Sequence, residues 1–125
     1  MSDEPVILYI EDNPDNRKLV SRVLGAEGFT VYTANDGPSG LAFVEETTPD
    51  LILVDLQLPD IDGYEVTRTL RQMDRLKNTP IVALTANVLK EDRERSFAAG
   101  CDGFIQKPFS VDKLPNQIKN YLSQS

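Results

Sequence analysis

A chain of 125 residues, 40% of them hydrophobic, has room for one domain around a single core, and no stretch approaches the ~20 apolar residues of a membrane span. A net charge of −7 excludes the Lys/Arg-rich face that non-specific binding to nucleic acid needs. The absence of histidine removes the commonest general base, the phosphohistidine carrier and the usual zinc ligand, so any chemistry falls to carboxylates, hydroxyls, lysines or a bound ion. The single Cys101 permits no internal disulfide and, among small and apolar neighbours, reads as a packed thiol. With an acidic start and no targeting segment, a cytoplasmic location is expected.

The first apolar run, Val6–Ile10, has the length of a buried strand and delivers Glu11 and Asp12 at its end. Asn13-Pro14 then supplies an N-cap and a first-turn proline, and Leu19, Val20, Val23 and Leu24 form the apolar stripe of a helix that Gly28 stops. A second strand, Thr30–Ala34, runs into Asn35-Asp36-Gly37, which reads as a turn, before a weakly marked helix near Pro38 to Glu45. Leu51–Val54 is the third strand, with Asp55 at its end. Pro59 to Gly63 reads as a turn and helix start, in which Asp60 and Asp62 are caps rather than ligands, and Val66, Leu70 and Met73 repeat at helical spacing. The fourth strand, Ile81–Leu84, ends in Thr85 and Ala86, and a polar helix from Lys90 to Ala99 stops at Gly100. Gly103–Ile105 is the fifth strand and leads to Lys107-Pro108. The last helix is expected to start at Ser110 and to bury Leu114, Ile118, Tyr121 and Leu122, with Pro115 in or just past its first turn. Alternating strands and helices of this kind predict an α/β fold: a doubly wound, five-stranded parallel sheet of (βα)5 type, flavodoxin-like, with VILYI as a central strand. Residues 1–125 make one domain, its core running from about 6 to 122, with no internal linker or repeat.

Open parallel sheets bind ligands beyond the carboxyl ends of their strands. Glu11, Asp12, Asp55, Thr85 and Lys107 all fall at such ends. Three acids at one edge repel each other unless a cation lies among them, and hard oxygen ligands with room for water suit Mg²⁺. A lysine and a threonine hydroxyl added to that set suit a phosphoryl group, whose charge Mg²⁺ and Lys⁺ offset. Asp55 is the best placed to attack phosphorus, because it stands alone on the central strand while Glu11 and Asp12 form a metal holder. Each residue has a plainer reading in isolation. Glu11-Asp12 are acids before a helix N-terminus, Thr85 is a strand-end hydroxyl, Phe104 is core, and Lys107 is a solvated lysine.

YIEDN, LILVDLQLPDIDGYE, IVALTAN and GFIQKPF, in that order and spacing, resemble the receiver domain of bacterial two-component response regulators. The resemblance covers Val6 to Leu122. Each motif is weak alone, and four in order are very specific. The resemblance implies that Asp55 is a phosphoacceptor, charged by a histidine kinase or a phosphotransfer protein. It implies that Asp12, Asp55 and the backbone carbonyl of Gln57 bind Mg²⁺ directly, and that Glu11 acts through a bound water. Thr85 would hydrogen-bond the phosphoryl oxygen and Lys107 would pair with it. Phe104 falls where the family has its switch aromatic, whose rotation follows the inward movement of the Thr85-type hydroxyl. That rotation alters the surface made by the fourth helix, fifth strand and fifth helix. Gln57 and Asn87 match positions that tune dephosphorylation, and the peptide before Pro108 is often cis in relatives. Two departures stand out: Glu11 replaces an Asp found in many receivers, and Phe104 stands where a tyrosine is frequent.

The function implied is a phosphorylation-dependent switch that controls a downstream protein partner. It would make no direct contact with nucleic acid or membrane, exist as a monomer or weak dimer, and be no enzyme beyond its own phosphotransfer and dephosphorylation. One alternative is a receiver fragment of a hybrid histidine kinase, against which the starting Met and the short polar tail YLSQS count. A haloacid-dehalogenase-like phosphatase needs a second carboxylate two residues after its nucleophile, where Gln57 stands. A flavodoxin-like electron carrier needs a phosphate loop after the first strand, and EDNPDN would repel that phosphate. A degenerate receiver used only for binding would not need the full set of acids with Thr85 and Lys107.

Overall fold

The computed structural model describes residues 4–56, 63–85, 90–107 and 110–123. Its elements alternate in chain order: β1 (Val6–Ile10), α1 (Pro14–Ala26), β2 (Thr30–Ala34), α2 (Gly37–Glu46), β3 (Leu51–Asp55), α3 (Gly63–Arg71), β4 (Ile81–Thr85), α4 (Lys90–Ala99), β5 (Gly103–Gln106) and α5 (Leu114–Ser123). A short 3-10 turn at Asp74–Leu76, which no sequence signal announced, lies between α3 and β4. All strand pairs are parallel, in the order β2-β1-β3-β4-β5. The expected doubly wound sheet is therefore present. VILYI is not its centre, however: β3 is, and β1 lies between β3 and the edge strand β2.

Side-chain alternation along the strands divides the core into two layers. Leu8, Ile10, Ile52, Val54 and Ala83 pack with Val44 of α2, Val66 and Leu70 of α3 and Ala99 of α4. Ile7, Tyr9, Leu51, Leu53, Val82, Leu84 and Ile105 pack on the other face with Val20 and Leu24 of α1 and Leu114 and Ile118 of α5. Every residue of β3 and β4 is buried, which is why both read as unbroken apolar runs. Cys101 belongs to the first layer, where burial raises its thiol's pKa to about 11, so it is the packed thiol expected.

The helix signals succeed where local chemistry decides them. Asn13 caps α1, its side chain accepting from the N–H groups of Asp15 and Asn16 at 2.8 and 3.1 Å. Gly28 and Gly100 follow α1 and α4 with φ of +93° and +118°, a conformation that L side chains avoid. Asp36 does more than turn: it caps α2 through Ser39 N–H at 2.8 Å, and that helix runs from Gly37 to Glu46. Three expectations shift. Leu19 is 39% exposed and lies outside the buried stripe of α1. Met73 packs on the core from beyond the end of α3. The last helix begins at Leu114, not Ser110, because Pro115 has no N–H to offer the carbonyl of Val111. The Leu114 N–H still reaches the Ser110 carbonyl, but the regular ladder resumes only with Gln117 bonding Lys113.

Candidate functional site

Parallel pairing brings the strand ends to one edge of the sheet. Ile10 pairs with Val54, Asp55 with Leu84, and Thr85 with Gln106, so Glu11, Asp12, Asp55, Thr85 and Lys107 emerge together. The pairing is extended past the strands by Glu11 N–H to Ala34 O (2.9 Å), Leu56 N–H to Leu84 O (3.1 Å) and Lys107 N–H to Thr85 O (2.8 Å). Asn13-Pro14 turns the chain into α1 directly after the acids, and Gly63 opens α3 against the end of β3. A Cβ at Gly63 would lie 2.5 Å from Leu56 Cα and 2.6 Å from the Asp55 carbonyl oxygen, so only glycine allows this approach.

Glu11, Asp12 and Asp55 each present a carboxylate oxygen, and these oxygens lie within 4.8 Å of one another. Glu11 and Asp55 are buried, at 1% and 3% exposure, while Asp12 faces solvent. Lys107 Nζ lies 3.0 Å from Glu11 Oε1 and 3.2 Å from Asp55 Oδ2. Burial opposes the charge on Glu11. It is outweighed by the hydrogen bonds the carboxylate accepts from Tyr9, Lys107 and the Asn13 N–H, which hold it well below the usual carboxylate range. Burial likewise disfavours the Lys107 ammonium, but Glu11 and Asp55 raise its pKa above the ordinary lysine value. Three hard oxygen ligands, one of them open to water, with one lysine among three carboxylates, fit a divalent cation of the Mg²⁺ type, which keeps several waters.

Thr85 ends β4 at 4% exposure, level with the acids. Phe104 lies further off, in the middle of β5. Its ring meets Phe97 of α4 edge to face at a centroid distance of 6.2 Å, and the Arg93 guanidinium lies 5.9 Å from its centroid. It is thus partly buried against the core and borders the outer surface through Phe97, which is 49% exposed. Gln57, Asn87 and Pro108 lie outside the described residues, as do Asp60 and Asp62.

Several contributing residues were missed in the sequence. Tyr9 donates its hydroxyl to Glu11 Oε1 at 2.7 Å, the Asn16 amide reaches the same oxygen at 3.3 Å, and Arg17 donates to the Glu11 carbonyl at 2.8 Å. The signal for Tyr9 was available, because residues two apart on a strand share a face. Asn16 and Arg17 lie on the first turns of α1, so a capped helix starting at Pro14 also pointed to them.

Residues 7–119 match the family described as the response regulator receiver domain. The polar-differentiation response regulator DivK of Brucella anthropi is 39% identical over 119 residues, which span 95% of this chain and 97% of that protein. Chemotaxis response regulator CheY4 of Vibrio cholerae superposes with a TM-score of 0.91 at 30% identity, over 94% of this chain and 98% of that one. The receiver domain of sensor histidine kinase PA1611 from Pseudomonas aeruginosa, solved with a magnesium ion coordinated in its active-site cleft, gives a TM-score of 0.88 at 35% identity, over 96% and 98% of the two chains.

Proposed function

The chain belongs to the response regulator receiver domain family of two-component signalling, and from that premise we propose that it is a phosphorylation-driven switch with Asp55 as phosphoacceptor. One observation carries the proposal: three carboxylates share a pocket less than 5 Å wide with a lysine ammonium between two of them. A pocket of this charge has little use in the resting protein, and it matches what a transferring phosphoryl group requires.

In this reading an Asp55 carboxylate oxygen forms the bond to phosphorus as the bond from phosphorus to the donor's imidazole nitrogen breaks. The donor is a histidine kinase or a phosphotransfer protein, and its imidazole leaves and takes a proton from solvent. Mg²⁺, when bound, would offset charge on the phosphoryl oxygens, with Asp12, Asp55 and the Gln57 carbonyl as its direct ligands and Glu11 one water away. Lys107 already contacts Asp55 and would pair with the new phosphoryl oxygen. Thr85 would donate its hydroxyl to the same group. Gln57 and Asn87 would set how fast water removes it.

Output would run from Thr85 to Phe104. The Phe104 ring meets exposed Phe97 and the Arg93 guanidinium, so a change in its position alters the face formed by α4, β5 and α5. That face would bind a downstream protein partner, with the protein acting as a monomer or weak dimer. No described helix is long and apolar enough to cross a membrane, and a cytoplasmic location is part of the same proposal. The phosphatase alternative is not favoured, since family membership and the residue set both point to a signalling acceptor.

Incubation with Mg²⁺ and acetyl phosphate tests the reading. Wild-type protein takes up acid-labile phosphate, and Asp55→Asn takes up none. Equal labelling of the two, or no labelling of wild type, would overturn it.

A further inference from the structure

The phosphoryl chemistry above makes no use of Tyr9, yet this phenol is bonded to the acidic pocket. Tyr9 stands in the middle of β1, has no exposed surface and packs with Val20, Leu24 and Ile118 in the layer beneath α1 and α5. An aliphatic side chain would fill such a site without a hydroxyl to satisfy. The hydroxyl points along the strand face to Glu11 and donates to Oε1 at 2.7 Å, closer than Lys107, the Asn16 amide or the Asn13 N–H approach that carboxylate. The same oxygen takes Lys107 Nζ at 3.0 Å and the Asn16 amide at 3.3 Å, and Oε2 takes the Asn13 N–H at 3.2 Å.

We propose that Tyr9 is a positioning residue for the acidic site, anchoring Glu11 from the core side and leaving Lys107 shared with Asp55. The inference rests on the receiver reading of the pocket. Lys107 meets Glu11 at Oε1, and it is divided between that oxygen and Asp55 Oδ2 at nearly equal distances. A second strong donor on Oε1 lessens the claim of Glu11 on that ammonium. Without the phenol O–H, Lys107 becomes the principal donor to a buried carboxylate, moves toward it, and drags the carboxylate from the place where a hydrated cation meets it. The buried ring gives the anchor rigidity that a solvent-facing donor lacks.

Calorimetric titration of the metal-free protein with Mg²⁺ tests this, because it reads the pocket without phosphotransfer. Tyr9→Phe keeps the ring and deletes the hydroxyl, and its Kd for Mg²⁺ is expected to rise roughly tenfold. Ile7→Val, which thins the same core layer on the same strand, is expected to leave Kd at the wild-type value. In metal-free Tyr9→Phe the backbone amide signal of Asn13, which reports on Glu11 Oε2, is expected to shift. An unchanged Kd in Tyr9→Phe, an equal rise in Ile7→Val, or a weakened Kd with an unmoved Asn13 amide would each overturn the proposal. Wild-type protein that gives no Mg²⁺ binding would overturn the reading of the pocket, and this inference with it. Wild-type binding that Tyr9→Phe leaves intact would overturn the inference alone.

Discussion

Lys107 Nζ lies 3.0 Å from Glu11 Oε1 although 96 positions separate them in the chain, and β3 and β4 lie between their strands. The contact joins the two ends of the acidic pocket. The lysine serves there as a resident counter-ion for Glu11 and Asp55, both nearly inaccessible to water. Removing it leaves buried carboxylates uncompensated.

Lys107→Met is therefore expected to destabilise the metal-free protein by about 1–3 kcal/mol. Millimolar Mg²⁺ restores part of that loss, because a divalent cation replaces the missing positive charge. Urea denaturation of both proteins with and without Mg²⁺ checks it. A variant as stable as wild type in metal-free buffer would show that the lysine does not balance the pocket.

The acid limb of the stability curve carries the signature of Glu11. Its pKa is lowered in the folded state from 4.5 to about 2, so folding favours the ionised form. The stabilisation is present above the unfolded-state value and is lost as pH falls through the folded-state value. Wild-type stability is expected to drop between pH 4.5 and about pH 2, and Glu11→Gln to show a shallower slope over that window. Equilibrium denaturation at several pH values measures both slopes, and identical slopes would contradict the assignment.

Gly63 keeps α3 against the end of β3. An added Cβ would press on Leu56 Cα and the Asp55 carbonyl oxygen, which are backbone atoms and cannot rotate away. Gly63→Ala is expected to cost about 1–3 kcal/mol of stability, as overpacking of a filled site does. It should also slow phosphorylation by acetyl phosphate, since the displaced backbone carries Asp55. Thermal denaturation together with labelling rates checks both effects.

Far from the site, Arg71 at the end of α3 ties that helix to the stretch before β4 and to the stretch before β5. Its guanidinium donates to the carbonyls of Gly100, Leu76, Lys77 and Thr79, and its Nη2 meets Asp102 Oδ2 at 2.7 Å. The same Asp102 oxygen accepts the Ile81 N–H that opens β4. Arg71→Ala is expected to lose about 2–4 kcal/mol, and Arg71→Lys to recover less than half of it, because an ammonium cannot span the planar fork. Urea midpoints of the three proteins decide it.

Particular residues show how far the sequence could be read. The ends of β1, β3 and β4 were legible because these strands are buried on both faces, so their apolar runs stop where the polar site residues begin. Once parallel pairing is inferred from the strand-helix alternation, Glu11, Asp12, Asp55, Thr85 and Lys107 must share an edge, and they do. The place of β1 within the sheet was not legible, since a run of buried residues looks alike in the second and third positions. The start of α5 was misjudged because Ser110 is a good cap, while the missing N–H of Pro115 delays the helix ladder. Inside VILYI a tyrosine passes for an apolar residue, and the sign of its use is its place two residues before Glu11 on the same strand face. Arg71 gave no local sign at all, because most of its acceptors are backbone carbonyls, which no side-chain pattern encodes.

The claim on which the functional reading stands is that phosphorus becomes bonded to the carboxylate of Asp55. Borohydride reduces an acyl phosphate to an alcohol, so the phosphorylated protein can be trapped, digested and sequenced by mass spectrometry. The expected result is homoserine at position 55, formed only when Mg²⁺ and a phosphodonor are both present. Homoserine at another aspartate, or an unmodified Asp55 in protein that carries phosphate, would contradict it.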